Sequence, residues 1–212
     1  MSMSRGLFIT FEGIDGCGKS TQIKLLSDHL GSTGNEVVLL REPGGTVVGE
    51  KIRNVLLDKK NDGMDPVCEL LLFEAARAQI VRELIRPALD DGKIVICDRF
   101  FDSTYAYQGY ARELGAGMVK SLNLTATSGL EPDITFLLDI DPEEALKRRG
   151  IRGDGDDRME ALGTGFQQKV RQGYLELAGS FDRVFKVDAS GTPEEIFSVI
   201  RDKTESVLRE RS

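Results

Sequence analysis

Lys19 and Ser20 close the run Gly13-Ile14-Asp15-Gly16-Cys17-Gly18-Lys19-Ser20, which follows an apolar stretch at residues 7–11 and opens a helix-like stretch at residues 21–30. This is G-x-x-x-x-G-K-S between a strand and a helix, the context in which that spacing reads as a phosphate-binding P-loop. Glycines let successive backbone N–H groups turn inward onto phosphate oxygens, with the positive end of the following helix behind them. Lys19 then places a charge at the β- and γ-phosphates of a nucleoside triphosphate, and the Ser20 hydroxyl supplies a ligand to Mg²⁺. The plain alternative is a glycine-rich turn with a solvated lysine. The complete set of fixed positions and both flanks weigh against it.

Other residues are spaced for related chemistry. Asp98 ends an apolar run at residues 94–97, where P-loop proteins place an acid near Mg²⁺, and Arg99 beside it can clamp a phosphate. A buried ion pair of structural use is the competing reading. Phe73 and Arg77 lie four apart in the amphipathic stretch 67–89, so an aromatic face and a fork of donors share one side of a helix. That suits a flat base with carbonyl edges, although a core phenylalanine beside a surface arginine has the same spacing. In the segment from Lys147 to Arg158, the arginines 148, 149, 152 and 158 are interspersed with Gly150, Gly153 and Gly155. It reads as a lid, about residues 148–158, that closes over reacting phosphates, against the alternative of a charged surface loop balanced by its own aspartates. His29, the only histidine, follows the P-loop on a helix and reads as a surface residue.

These side chains need a scaffold. Five short apolar runs, at residues 7–11, 37–40, 94–97, 134–140 and 184–187, read as buried strands separated by segments of helical period. The fold class is therefore α/β, a three-layer P-loop fold with a five-stranded, mainly parallel sheet flanked by helices. Asp141-Pro142-Glu143-Glu144 and Thr192-Pro193-Glu194-Glu195 each set a capping residue, a first-turn proline and a capping acid in the order of a helix start. In an open parallel sheet, ligands bind beyond the carboxyl ends of the strands. The P-loop, residues 41–46, Asp98-Arg99 and residues 188–191 are accordingly expected to converge on one crevice.

The 212 residues suit one α/β domain over 1–212 and are few for two. A net charge of −7 argues against nucleic acid or a membrane surface as partner, so any anionic ligand must be met by local cations. No stretch has the make-up of a signal peptide or a membrane span. Cys17, Cys68 and Cys97 are scattered, with neither disulfide-framework nor metal spacing, which fits a reducing cytoplasm.

Taken in order, Phe11-Glu12-Gly13 through Thr21, Arg41-Glu42-Pro43-Gly44-Gly45-Thr46, Asp98-Arg99-Phe100 with Ser103-Thr104-Tyr105-Ala106-Tyr107-Gln108-Gly109, and Tyr174-Leu175-Glu176-Leu177-Ala178 closely resemble the thymidylate kinases, which make dTDP from dTMP and ATP. The resemblance implies an ATP site over Gly13, Ile14, Asp15, Gly16, Cys17, Gly18, Lys19, Ser20 and Thr21, with Mg²⁺ near Ser20 and Asp98. It implies that Asp15 binds the 3′-hydroxyl of the acceptor, Phe73 stacks on thymine, Arg77 donates to a base carbonyl and Thr104 meets the N3 edge. Arg99 with Arg53 would hold the acceptor phosphate, and Tyr107 would fill the space beside C2′. Pro43 and Gln108 complete the dTMP set, Gln167 is a further candidate, and residues 188–191 would border the donor adenine. A homodimer is implied as well. Two positions depart from the family. Gly16 stands where some members carry a P-loop arginine, so the catalytic cation is expected from the lid, with Arg152 first and Arg148 and Arg149 behind it. Phe100 stands where tyrosine or histidine is frequent, and its side chain has no hydroxyl or ring nitrogen for a polar contact.

Two other classes bear weighing. A related small kinase acting on another nucleotide or metabolite would share most of these features. A GTP-dependent switch would need a guanine-reading N-K-x-D, and no Asn-Lys pair occurs in the chain, although Asp188-Ala189-Ser190-Gly191 has the form D-x-x-G.

Overall fold

The strands form at β1 (Phe8–Glu12), β2 (Val37–Arg41), β3 (Ile94–Asp98), β4 (Ile134–Asp139) and β5 (Val184–Asp188), each within about a residue of its expected place. All pair in parallel in the order β2-β3-β1-β4-β5. The computed structural model describes residues 5–152, 158–159 and 162–211, without the side chains of Arg149, Ile151 and Arg152. The helices are α1 (Lys19–Ser32), α2 (Val47–Leu57), α3 (Pro66–Ile80), α4 (Arg86–Asp90), α5 (Phe101–Thr104), α6 (Ala116–Thr127), α7 (Pro142–Arg152), α8 (Gly163–Ser180) and α9 (Pro193–Arg211).

Strand residues alternate between two buried faces, as a parallel sheet covered on both sides requires. Ile9, Phe11 and Ile96 pack with Leu26 and Leu30 of α1 and Ile196 and Ile200 of α9. Phe8, Val95 and Cys97 face the other way, onto Ile80, Ile85 and Leu89. Thr10 and Thr135 join their hydroxyls at 2.7 Å across β1 and β4, and Thr135 also bonds Asp102, which Arg183 grips at 2.6 and 2.8 Å. That polar seam is tolerated in the core because its groups satisfy one another.

Both proline-marked helix starts form. Asp141 Oδ1 accepts from the Glu143 N–H at 2.9 Å, and Thr192 and Glu195 make the reciprocal bonds of a capping box. The stretch 67–89 is one continuous rod with a π-helical turn at Val81–Ile85 between α3 and α4. Pro87 explains the widening, since it has no N–H to donate back into the turn before it. The lid expectation needs correction at its start. Residues 148–152 are the last turn of α7, which runs through Gly150 without interruption, and residues 153–157 lie outside the described residues.

Candidate active site

A cavity of about 280 Å³ opens beyond the carboxyl ends of β1, β2 and β3. Three of the four expected strand ends meet there. The fourth, residues 188–191, does not line it; instead, Arg148 of α7 donates to the Ala189 and Ser190 carbonyls at 2.8 and 3.1 Å, and Gln22 of α1 to the Pro193 carbonyl at 2.9 Å.

The P-loop forms one wall. Gly13, Gly16 and Gly18 all have positive φ, and a Cβ on Gly13 would sit 2.6 Å from the Leu138 carbonyl oxygen, so the curl requires glycine. Gly18 is the left-handed N-cap of α1, whose first residues are Lys19 and Ser20. Lys19 Nζ folds back on the Gly13 and Ile14 carbonyls at 3.1 and 3.2 Å and lies 3.9 Å from Asp15 Oδ1. Asp15, Gly16, Gly18, Lys19 and Ser20 line the cavity, whereas Ile14 and Cys17 are buried behind the loop. Burial pushes the Cys17 thiol up, against the nearby charges of Lys19 and Arg99.

Arg99 stands opposite, at φ 68, a left-handed conformation rare for arginine. Its N–H donates to the Phe11 carbonyl at 3.0 Å, and Glu12 anchors the adjoining turn by accepting from the Phe100 N–H at 2.7 Å and the Ser103 hydroxyl at 2.6 Å. The guanidinium donates to Asp15 Oδ1 at 2.6 Å, Ser103 Oγ at 3.2 Å, Tyr174 Oη at 3.1 Å and Tyr107 Oη at 3.3 Å. Burial alone would lower Arg99, yet the charge of Asp15 holds it well above its ordinary value. Tyr174 Oη in turn donates to Glu12 at 2.7 Å. Glu12 is raised by burial and by Asp102, with Arg99, Ser103 and Tyr174 opposing.

Pro43, Arg53, Phe73, Asp98, Thr104, Tyr107 and Gln108 all line the same cavity. Arg53 donates to the Pro43 carbonyl at 2.9 Å, and the buried Thr104 hydroxyl has no hydrogen-bond partner among the described residues. Phe100 is a core residue, edge-on to Phe8 at 5.0 Å.

Of the expected dTMP residues, Arg77 and the further candidate Gln167 do not line the cavity, nor do Gly13, Ile14, Cys17 and Thr21 of the expected ATP loop. Arg77 is 1% exposed, and its five N–H groups are matched by Glu42 (2.9 and 2.8 Å), Glu74 (2.8 Å), Asn123 (3.1 Å) and the Phe100 carbonyl (3.3 Å). In this arrangement Arg77 braces Glu42, itself a cavity-lining residue, from behind the wall. Arg158, expected in the lid, is also buried, bonding the Leu56 carbonyl at 2.6 Å and Glu69 at 2.7 Å. The Arg152 side chain lies outside the described residues. Glu42, Arg41, Ser103, Leu57 and Met159 line the cavity without having been singled out, although Arg41, Glu42 and Ser103 fall inside the motifs that carry the family resemblance. His29 bonds Glu205 at 3.1 Å between α1 and α9, away from the cavity.

A parallel sheet ordered 2-3-1-4-5, with a lysine-bearing glycine loop after the central strand and an Asp-Arg pair at its neighbour's end, defines a P-loop nucleotide-binding α/β protein. The sequence model of the family described as "Thymidylate kinase" matches residues 11–200. A thymidylate kinase of Thermoanaerobacter sp. (strain X514) is 55% identical over 181 residues, covering 85% of this chain and 88% of its own. Those of Chlorobium luteolum and Desulfovibrio desulfuricans are 49% and 46% identical, each over 97% of this chain and over 100% and 98% of their own. The chain belongs to the thymidylate kinase family.

Proposed function

We propose that this chain, acting as one kinase domain, transfers the γ-phosphoryl group of ATP to dTMP, giving dTDP. One observation carries the assignment: the P-loop lysine and an aromatic, arginine-bearing pocket open into the same cavity, so donor and acceptor can meet there. Lys19 would hold the β- and γ-phosphates. Arg99 and Arg53 would hold the acceptor phosphate, Asp15 the 3′-hydroxyl, Phe73 and Pro43 the base faces, and Thr104 and Gln108 its polar edge. Tyr107 would occupy the space a 2′-hydroxyl needs.

The acceptor oxygen is already largely ionised near neutral pH, because the second pKa of a phosphate monoester is about 6. No general base is needed, and catalysis reduces to in-line positioning and charge neutralisation. Ser20 and Asp98 share the cavity with Lys19, a donor set suited to Mg²⁺, which takes few protein ligands and completes its shell with phosphate and water. Bound there, the ion would supply positive charge that offsets the charge of the transferring phosphates. With Gly16 in the P-loop, the remaining cation is assigned to Arg152 at the end of α7. Unpaired Cys17, Cys68 and Cys97 fit work in the cytoplasm, and among the described residues no helix is long and apolar enough to cross a membrane.

The test is ADP formation with dTMP, dUMP, dCMP, dGMP and UMP as acceptors. dTMP should give the highest kcat/KM, with dUMP next, since a lost methyl group costs only about 1 kcal/mol. Equal efficiency across the panel would reassign the chain to another nucleotide kinase.

A further inference from the structure

Glu69, on α3, is fully buried and does not line the cavity, yet three side chains converge on it. Arg158 reaches Oε2 at 2.7 Å and Arg112 at 3.2 Å, while Gln108 Nε2 donates to Oε1 at 2.8 Å. Burying a carboxylate is costly unless it is paired, and the two arginines meet that requirement. Gln108 is different in kind, being neutral and part of the cavity lining. A carboxylate between two guanidiniums accepts and does not donate, so the Gln108 amide must turn its NH₂ group toward Glu69 and leave its carbonyl oxygen for the cavity.

We propose that Glu69 is a specificity-determining positioning residue, fixing the Gln108 amide so that its carbonyl accepts from the N3–H of a thymine or uracil ring and rejects cytosine. The inference rests on the acceptor base lying against Gln108. Thymine carries a hydrogen on N3, whereas cytosine presents a bare lone pair there, which would oppose the oxygen of the buried Gln108. An amide free to turn could satisfy either base. Glu69 removes that freedom from outside the pocket.

The test is kcat/KM for dTMP and dCMP in Glu69→Gln, Glu69→Asp and Gln108→Met, with folding followed by thermal melting. Glu69→Gln supplies a partner that can donate as well as accept, so the dTMP to dCMP preference should fall by about tenfold or more with the KM for ATP unchanged. Adding Gln108→Met should cause no further fall, because both changes act through one contact. Should Glu69→Gln fail to fold, Glu69→Asp keeps the charge while withdrawing it from Gln108, and it should shift the preference in the same direction. An unchanged preference in a folded Glu69 variant overturns the proposal. If Gln108→Met abolishes the preference and Glu69 variants do not, only the role of Glu69 fails. An unchanged preference in Gln108→Met overturns the placement of the base as well. In the unmodified protein, NMR relaxation should find the Gln108 side-chain amide rigid and its Nε2 protons protected from exchange before any nucleotide is added. A freely rotating amide overturns the proposal whichever variants fold.

Discussion

At the residue scale the cavity concentrates opposed charges that dTMP and ATP would separate. Lys19 rests on loop carbonyls and Arg99 on Asp15, which keeps both cations ordered beside the places their phosphates would take. Lys19→Ala removes one preorganised charge and leaves the acceptor wall intact. Turnover should fall about 100-fold or more while calorimetric dTMP affinity is retained; near-normal turnover would remove Lys19 from the reaction. Glu42 gives a pH prediction. Burial lifts its carboxyl to about 7 against the pull of Arg77, and Glu74 adds a second acid to the same arginine. Among the described residues, Oε1 of Glu42 and Oε2 of Glu74 are buried without hydrogen-bond partners, so the cluster has an unmet need for a proton. A folded value above the ordinary 4.5 means that the native chain binds the proton more tightly than the unfolded one. The contribution is complete below about 4.5 and is lost as pH rises through about 7, amounting to about 3 kcal/mol. Glu42→Gln cannot titrate, so the stability of the natural chain relative to this variant should decline between pH 5 and pH 8 in urea unfolding. A difference that stays flat would place the proton on another group of the cluster.

At the element scale, α7 changes what its arginines can do. The spacing of Gly150 and Gly153 suggests a mobile loop from residue 148, but the Asp141 cap and Pro142 commit the chain to a helix, and one interior glycine costs only about 1 kcal/mol. Arg148 consequently sits on the helix surface, bound to the loop that the family resemblance places beside adenine. Arg148→Ala should raise the KM for ATP several-fold and leave that for dTMP unchanged. Arg152→Ala should lower kcat about 100-fold with little change in the KM for dTMP, the signature of a contact made only in the transition state. If Arg152→Ala loses no more than a few-fold in kcat, the catalytic cation must come from elsewhere. The strands and P-loop are legible in the sequence because local pattern dictates them: apolar runs of four to seven residues, glycines at fixed spacing and a cap before proline. Arg77 is not legible, since its partners Glu42 and Asn123 lie 35 and 46 residues away and only the fold brings them to it. Glu12 and Glu69 escape notice for the same reason, because a buried carboxylate in a strand end or helix looks like a surface one until its donors are seen.

At the scale of the whole molecule, α2, α3 and α6 stand side by side, α2 against α3 and α3 against α6. Val48 and Val55 of α2, Val67 and Leu71 of α3, and Met118 and Leu124 of α6 are between 39% and 61% exposed. Single exposed apolar residues are ordinary, but a series spread over three adjacent helices has the make-up of a surface that another protein covers. A second copy of the chain is the occupant we propose, in line with the homodimer implied by the family resemblance. The same helices carry site residues inward: Arg53 on α2 and Phe73 on α3 line the cavity, and Asn123 on α6 braces Arg77. Packing two copies through these outer faces would stiffen the acceptor wall without closing the cavity mouth. Sedimentation should therefore report twice the 23.4 kDa chain mass at micromolar concentration. Leu71→Asp, a charge placed on a half-exposed position of α3, should yield a folded monomer with a raised KM for dTMP and an unchanged KM for ATP. If the natural chain sediments at the mass of one copy, the dimer assignment fails. A monomeric variant with unaltered dTMP kinetics would keep the dimer and sever its link to the acceptor wall.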